Sequence, residues 1–288
     1  MTGTGVLHVV GMGRSGSTLL GLIAGAQPGW TMLGEWIHYC VLNMSANDHD
    51  LFIALRRQRY ASGIYRAYCR SCGGMCPFIK EHSSLTLRDH YQQVRKLFGV
   101  TGWLIDTSKN PGYTSIMQTC NPDEQHIRVL VHKPPWAYAR SLVGENAADS
   151  DVALWAANWA ANVIALSASA PDHVLAYEDL ATDASHAMPR IMGLKSSETT
   201  KILTVPAEDY GEKRQHHIGG NVHTLRNAIL AGTVDRNPWS GNDVDGLPGI
   251  RGVRVDPNVA NPIQRYVEIC YGDPCVHEAM SLVGRTWP

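Results

Sequence analysis

The stretch Val6-Leu-His-Val-Val-Gly-Met-Gly-Arg-Ser-Gly-Ser-Thr18 joins an apolar run to a glycine-rich turn and the start of a helix. Gly11 to Thr18 has the spacing of a phosphate-binding loop, G-x-x-x-x-G-x-[ST]. Ser17, however, stands where nucleoside-triphosphate enzymes place a lysine. The glycines let the backbone bend tightly, and the N–H groups of the turn and first helical turn converge on an anion. In triphosphate enzymes the lysine neutralises the β- and γ-phosphates. A loop that keeps the cradle without the lysine points to a phosphorylated ligand other than a triphosphate. Arg14 supplies the positive charge in its place.

Outward from the loop, short apolar strands alternate with amphipathic helices, the pattern of an α/β domain with a mostly parallel sheet. Val6 to Gly11 reads as the first strand and Ser17 to Ala26 as the helix behind it. Leu87, Tyr91, Val94, Leu97 and Phe98 recur at helical spacing, with Ser84 as a cap and Gly99 as the stop. Trp103 to Asp106 and Ile127 to Val131 read as buried strands, and Pro134 to Val143 as a helix with prolines in its first turn. Asp151 to Ser169 is a long periodic helix whose Trp155 and Trp159 face a core. His173 to Tyr177 is a further strand, and Ala187 to Leu194 a helix. Beyond Val205 the chain is loop-rich and regains helical character over about 262–271 and 274–283. The expected organisation is one domain over 1–288, with a core over about 5–205 and a loop-rich C-terminal cap, or lid, over about 206–288.

A chain of 288 residues with a formal net charge of −1 carries no global basic field to favour nucleic acid. No stretch approaches the roughly 18 apolar residues of a membrane span. The N-terminus lacks a basic n-region, so the expected setting is cytoplasmic. Seven cysteines, an odd count without an export signal, argue against an obligatory disulfide framework. Cys69, Cys72 and Cys76 are close enough to share a zinc with a fourth ligand such as His82. Gly73, Gly74 and Pro77 allow the plainer reading of a surface loop with reduced thiols.

Parallel sheets bind ligands at the carboxyl ends of their strands, and three ends here carry polar residues suited to an anion. The first ends in the loop, the second in Thr107-Ser108-Lys109-Asn110-Pro111, the third in His132-Lys133-Pro134-Pro135-Trp136. Lys109 is a candidate second cation on the transferring group. Glu35 and His38, just downstream of the loop helix, are candidate bases. A carboxylate at the start of the following helix is the plainer reading of Glu35.

The loop, its arginine and the continuation Leu19-Leu20-Gly21, Gln27-Pro28 and Gly34-Glu35 resemble the 5′-phosphosulfate loop of sulfotransferases. The likeness is to the branch with arginine in the loop, which includes tyrosylprotein sulfotransferases and many bacterial enzymes. Asp106-x-x-Lys109-x-Pro111, Tyr177-Glu178-Asp179-Leu180 and His217-Ile-Gly-Gly-Asn221 with Arg226 also resemble segments of that family. The resemblance implies a P-loop-like three-layer fold. It also implies 3′-phosphoadenosine 5′-phosphosulfate (PAPS) as donor co-substrate, with no metal required. Gly13, Arg14, Ser15, Gly16, Ser17 and Thr18 would bind the 5′-phosphosulfate, Lys109 would stabilise the bridge oxygen, and Glu35 would act as base. His217, Gly220 and Asn221 would close over the nucleotide. The 3′-phosphate segment departs from the family pattern. His132 replaces the usual arginine, Pro135 the second basic position, and Arg140 the serine, so Lys133, Arg140 and Ser141 would have to rebuild the site.

The expected acceptor is a hydroxyl of a small molecule, sugar or natural product. Its pocket would lie among Trp30 to Asn43, the cysteine loop and the tail near Trp239. A homo-oligomer is allowed. The competing readings are a small-molecule kinase or nucleotide phosphotransferase with an unusual loop, and a nucleotide-binding protein without catalysis.

Overall fold

The computed structural model describes residues 4–25, 29–43, 54, 68–69, 74–75, 85–144, 147–180, 191 and 265–285. Five parallel strands form the sheet: β1 (Gly5–Gly11), β2 (Thr31–Gly34), β5 (Trp103–Lys109), β6 (Gln125–His132) and β7 (His173–Ala176), in the order β2-β5-β1-β6-β7. A separate two-residue hairpin pairs β3 (Tyr68–Cys69) with β4 (Gly74–Met75). The helices are α1 (Ser17–Gly25), α2 (Ile37–Asn43), α3 (His90–Phe98), α4 (Pro111–Cys120), α5 (Pro135–Val143), α6 (Asp149–Ser167) and α7 (Pro274–Leu282).

Every residue of β1 is buried, as a central strand covered on both faces requires. Leu7 and Val9 pack with Leu20 and Ile23 of α1 on one face. On the other face, Val6 meets Tyr91 and Tyr113 of α3 and α4, while Val10 joins Trp136 and Trp159 of α5 and α6. That gives three layers, helix on sheet on helix. The expected strands and helices that fall on described residues are present, with shifted bounds; the helix expected over 187–194 lies outside the described residues, Ile191 aside. β5 runs to Lys109 rather than stopping at Asp106, because Lys109 pairs with Val10 of β1 after an irregularity in register.

The helix expected around Leu87 begins only at His90. Asp89 has a left-handed backbone, and the first helical amides find a distant acceptor, Tyr91 N–H donating to Asn121 Oδ1 at 3.0 Å. Gly99 ends the helix at φ 63°, as its position suggested. Ser84 lies outside the described residues. Residues 265–285, grouped by the sequence with the loop-rich cap, instead pack against α6. Tyr266, Cys270, Tyr271, Val276 and Met280 are all buried there with Trp159 and Leu130. The loop-rich stretch 206–264 lies outside the described residues.

The chain crosses from the β2–β5 side of β1 to the β6–β7 side. The carboxyl ends of β1, β5 and β6 therefore meet at a switch point of the strand order, where open parallel sheets leave a crevice. Gly11 lies beside Val131, and Val10 beside Lys109. The three polar strand ends picked out in the sequence are thus neighbours in space.

Candidate functional site

The turn between β1 and α1 is built by two close approaches. Gly16 has φ 106°, and a Cβ there would lie 2.2 Å from a ring carbon of Tyr177. Only glycine lets the tyrosine ring press on the loop. Arg14 sits at φ 68° with its side chain exposed. A left-handed backbone at a non-glycine residue is disfavoured by about 1–2 kcal/mol and persists where the surroundings impose it. Lys109, at the neighbouring strand end, shares the feature at φ 65°. Ser15 is fully buried and its Oγ has no hydrogen-bond partner. Ser17 and Thr18 are buried at the start of α1, and Gly13 is exposed. The loop therefore combines a buried hydroxyl without a partner among the described residues and an exposed arginine, a donor set that fits a tetrahedral oxyanion.

Beside the cradle, Glu35, His38 and Lys109 form one cluster. Glu35 Oε1 accepts from Lys109 Nζ, and Oε2 bonds His38 Nε2 at 2.8 Å. Burial pushes the Glu35 carboxyl up, but the His38 hydrogen bond and the Lys109 charge outweigh it and hold the group at about 2. Lys109 is paired and mostly buried rather than solvated, and Glu35 lies ahead of α2 on a cross-element ion pair.

Asp106 anchors this cluster from below. It is fully buried and its carboxyl is raised by burial, although four groups donate to it: Tyr91 Oη at 3.0 Å, Tyr113 Oη at 2.9 Å, and the Ser108 N–H and hydroxyl. Ser108 Oγ in turn accepts from the Ile37 N–H at 2.9 Å, tying the end of β5 to the first turn of α2. Asn110 caps α4 by accepting from Tyr113 N–H at 2.9 Å, and Pro111 sits at its first position. Lys109 is thus held between two fixed helix starts.

At the third strand end, His132 and Lys133 take different directions. His132 is buried, its pKa lowered by burial and by Arg285, whose Nε donates to Nδ1 at 2.9 Å. The same guanidinium makes a two-pronged pair with Glu178, at 3.0 and 2.7 Å. Arg285, which follows α7, was not singled out from the sequence; no local motif marks it. Lys133 Nζ lies 4.1 Å from the Tyr177 ring centroid. Burial lowers its amine to about 8, with the Glu178 charge opposing that shift and the Arg14 charge adding to it. Lys133 therefore stands on the loop side of the site.

Arg140 is half-buried, and Ser141 is exposed with its hydroxyl donating to the Tyr138 carbonyl of its own helix at 2.7 Å. His217, Gly220 and Asn221, like Arg226, lie outside the described residues. So do the side chain of Cys69 and all of Cys72, Cys76 and His82. Among the described residues there is no group of three His, Cys, Asp or Glu side chains placed to hold a metal ion. No helix among them is long and apolar enough to cross a membrane.

No protein-family model matches the chain, and no curated protein matches it in sequence. Solved structures similar in shape include two sulfotransferases. One is the sulfotransferase STF1 of Mycobacterium tuberculosis H37Rv, at 15% identity and a TM-score of 0.37, over 80% of this chain and 77% of that one. The other is the sulfotransferase domain of the Synechococcus PCC 7002 olefin synthase, at 13% identity and a TM-score of 0.42, over 93% and 94%.

Proposed function

We propose that this chain, read as one catalytic unit, transfers a sulfuryl group from PAPS to a hydroxyl of a small molecule, sugar or natural product. The observation that carries the reading is one juxtaposition. A lysine-free loop that carries the exposed Arg14 and the buried, unsatisfied Ser15 hydroxyl stands beside a Glu35–Lys109 ion pair at the same end of the sheet.

The donor supplies a sulfuryl group already activated by its anhydride to phosphate. Arg14 and the loop amides from Gly13 to Thr18 hold the 5′-phosphosulfate by charge and by oriented N–H groups. Lys109 faces the bridge oxygen, where negative charge grows as the bond breaks. Glu35 takes the proton from the attacking hydroxyl.

The ion pair gives Glu35 and Lys109 a shared logic. While His38 and Lys109 are both bound to Glu35, the carboxyl stays near 2 and is a weak base. An anionic donor that draws the ammonium towards itself removes part of that field, so the carboxyl rises towards its ordinary range. The base strengthens only when the donor is in place. The acceptor hydroxyl is expected on the α2 side, near Glu35 and His38.

Thermal denaturation with adenosine 3′,5′-bisphosphate, AMP and magnesium ATP tests the reading. The expected result is a shift with the bisphosphate at concentrations where AMP and ATP give little. A shift with magnesium ATP alone would replace sulfuryl transfer by phosphoryl transfer. Transfer of labelled sulfate to a hydroxyl library then identifies the acceptor class.

A further inference from the structure

The lysine missing from the loop has a counterpart in space. We infer that Lys133, arriving from the end of β6, is the second cation of the β1–α1 anion cradle and grips the same oxyanion as Arg14. The inference rests on the reading that the loop holds an anion, and it adds which side chain completes the charge.

Three observations carry it. The Lys133 ammonium lies over the Tyr177 ring, 4.1 Å from its centroid, and an edge of that ring lies where a Gly16 Cβ would be. The tyrosine is thus a spacer between the lysine and the loop backbone. Trp159 Nε1 donates to the Lys133 carbonyl at 2.9 Å, so the fully buried indole of α6 fixes the backbone that presents the amine. Finally, no hydrogen bond or ion pair occupies Nζ among the described residues. A half-buried ammonium with an aromatic face on one side and a second cation nearby is short of an anion.

The surrounding charges agree. The Glu178 charge, beyond β7, favours Lys133 protonation, and the Arg14 charge of the loop disfavours it. Both Glu178 oxygens are engaged by Arg285, which also donates to His132, so that pair is a fixed wall and not a substitute for a ligand. An oxyanion between Arg14 and Lys133 would answer both cations and the Ser15 hydroxyl at once. The position normally filled from within the loop is then filled from a neighbouring strand. With its amine near 8, Lys133 grips an anion well below that pH and loosens above it.

Pyridoxal 5′-phosphate is a direct probe, because its phosphate seeks the cradle while its aldehyde condenses with a nearby unprotonated amine, releasing water. Reduction of the imine with borohydride fixes the label for mass mapping. The expected outcome is preferential labelling of Lys133, rising in rate as pH passes through about 8 and suppressed by inorganic pyrophosphate. Arg14→Met should slow labelling of Lys133 about tenfold. Lys133→Met should weaken pyrophosphate binding by about tenfold or more, and Lys133→Arg should restore most of it. Melting curves of the variants identify any loss of fold, and the labelling of the unmutated protein stands independently of them. Labelling spread evenly over all lysines, or unaffected by pyrophosphate, overturns the inference. A bisphosphate-induced thermal shift that is the same size in Lys133→Met also overturns it, while leaving the sulfuryl reading intact. Protection of Lys133 by pyrophosphate without any response to the bisphosphate does the reverse: the cation pair stands and the sulfuryl reading fails.

Discussion

Arg95, at the amino end of the sheet, and Lys133, at its carboxyl end, carry their charge in opposite ways. At the amino end, Arg95 of α3 is saturated. It pairs with Glu124 at 2.9 and 3.1 Å and donates to the carbonyls of Gly5, at 2.7 Å, and Gly102, just ahead of β5. At the carboxyl end the account stays open. Lys133 rests on a ring, Arg14 is exposed at a disfavoured backbone angle, and the hydroxyls of Ser15 and Thr107 are buried without partners. Saturated charge holds strands together, whereas unsatisfied charge is what a ligand can answer. The contrast separates a clamp from a binding site with no reference to any relative.

Breaking the clamp should give the largest effect on folding. Arg95→Met leaves Glu124 buried and unpaired, and should destabilise by about 3–5 kcal/mol in urea titrations, with bisphosphate affinity unchanged in whatever remains folded. Lys109→Met should act mainly on chemistry, lowering turnover about 100-fold or more with a smaller stability loss than Arg95→Met, because His38 still bonds Glu35. Equal effects of the two substitutions on folding would erase the distinction.

Gly16→Ala forces a methyl into the Tyr177 ring at a positive φ, and should cost about 2 kcal/mol. Adding Tyr177→Ala should recover part of this, leaving the backbone share; a double-mutant cycle in thermal melting measures the split.

Acid tests the same contrast through the histidines. His126 Nε2 bonds the Asn121 carbonyl, so Nε2 carries its proton and Nδ1 accepts from His8 Nε2 at 2.9 Å. That leaves His8 Nδ1 bare and buried. Burial, then the neighbouring His126 and Arg128, lower the His8 pKa. A histidine depressed in the folded state protonates more readily when unfolded. Its contribution is therefore present above its ordinary value of 6.5 and drains away as pH falls below it. Melting temperature should drop between pH 7 and pH 5, and His8→Gln should flatten that slope. Glu35 contributes in a lower window, its stabilisation present above about 4.5 and lost as pH falls towards 2.

The smallest effect should come from Arg14→Gly. It relieves the left-handed backbone and should leave the melting temperature no lower, while bisphosphate binding weakens about tenfold. A marked loss of stability would mean that Arg14 is part of the clamp's logic rather than the ligand's.

How far this was legible in the sequence follows the range of the interactions. The loop, β1 and α1 are written in adjacent residues, because glycine placement and apolar runs act locally. Lys109 could be placed at a strand end from pattern alone, and Glu35 just beyond α1. Their pairing could not, since it spans 74 residues. The start of α3 was misjudged for the same reason: its cap is Asn121, 30 residues away from Tyr91. The direction of Lys133 depends on Tyr177 and Trp159, which no local pattern connects to it. The C-terminal helices read as helical from periodicity, but the sequence did not show that they fill the core beside α6.

The pairing of Arg285 with Glu178 has a consequence in time. The ribosome makes β6 and Glu178 long before the arginine that secures them, which follows 107 residues after Glu178 and 153 after His132. At about 5–20 residues per second, the nascent chain waits roughly 5–20 s between exposing that carboxylate and delivering its counterion. During synthesis the wall beside the anion cradle therefore stays unlatched, and the site matures only once the segment that carries Arg285 emerges from the exit tunnel.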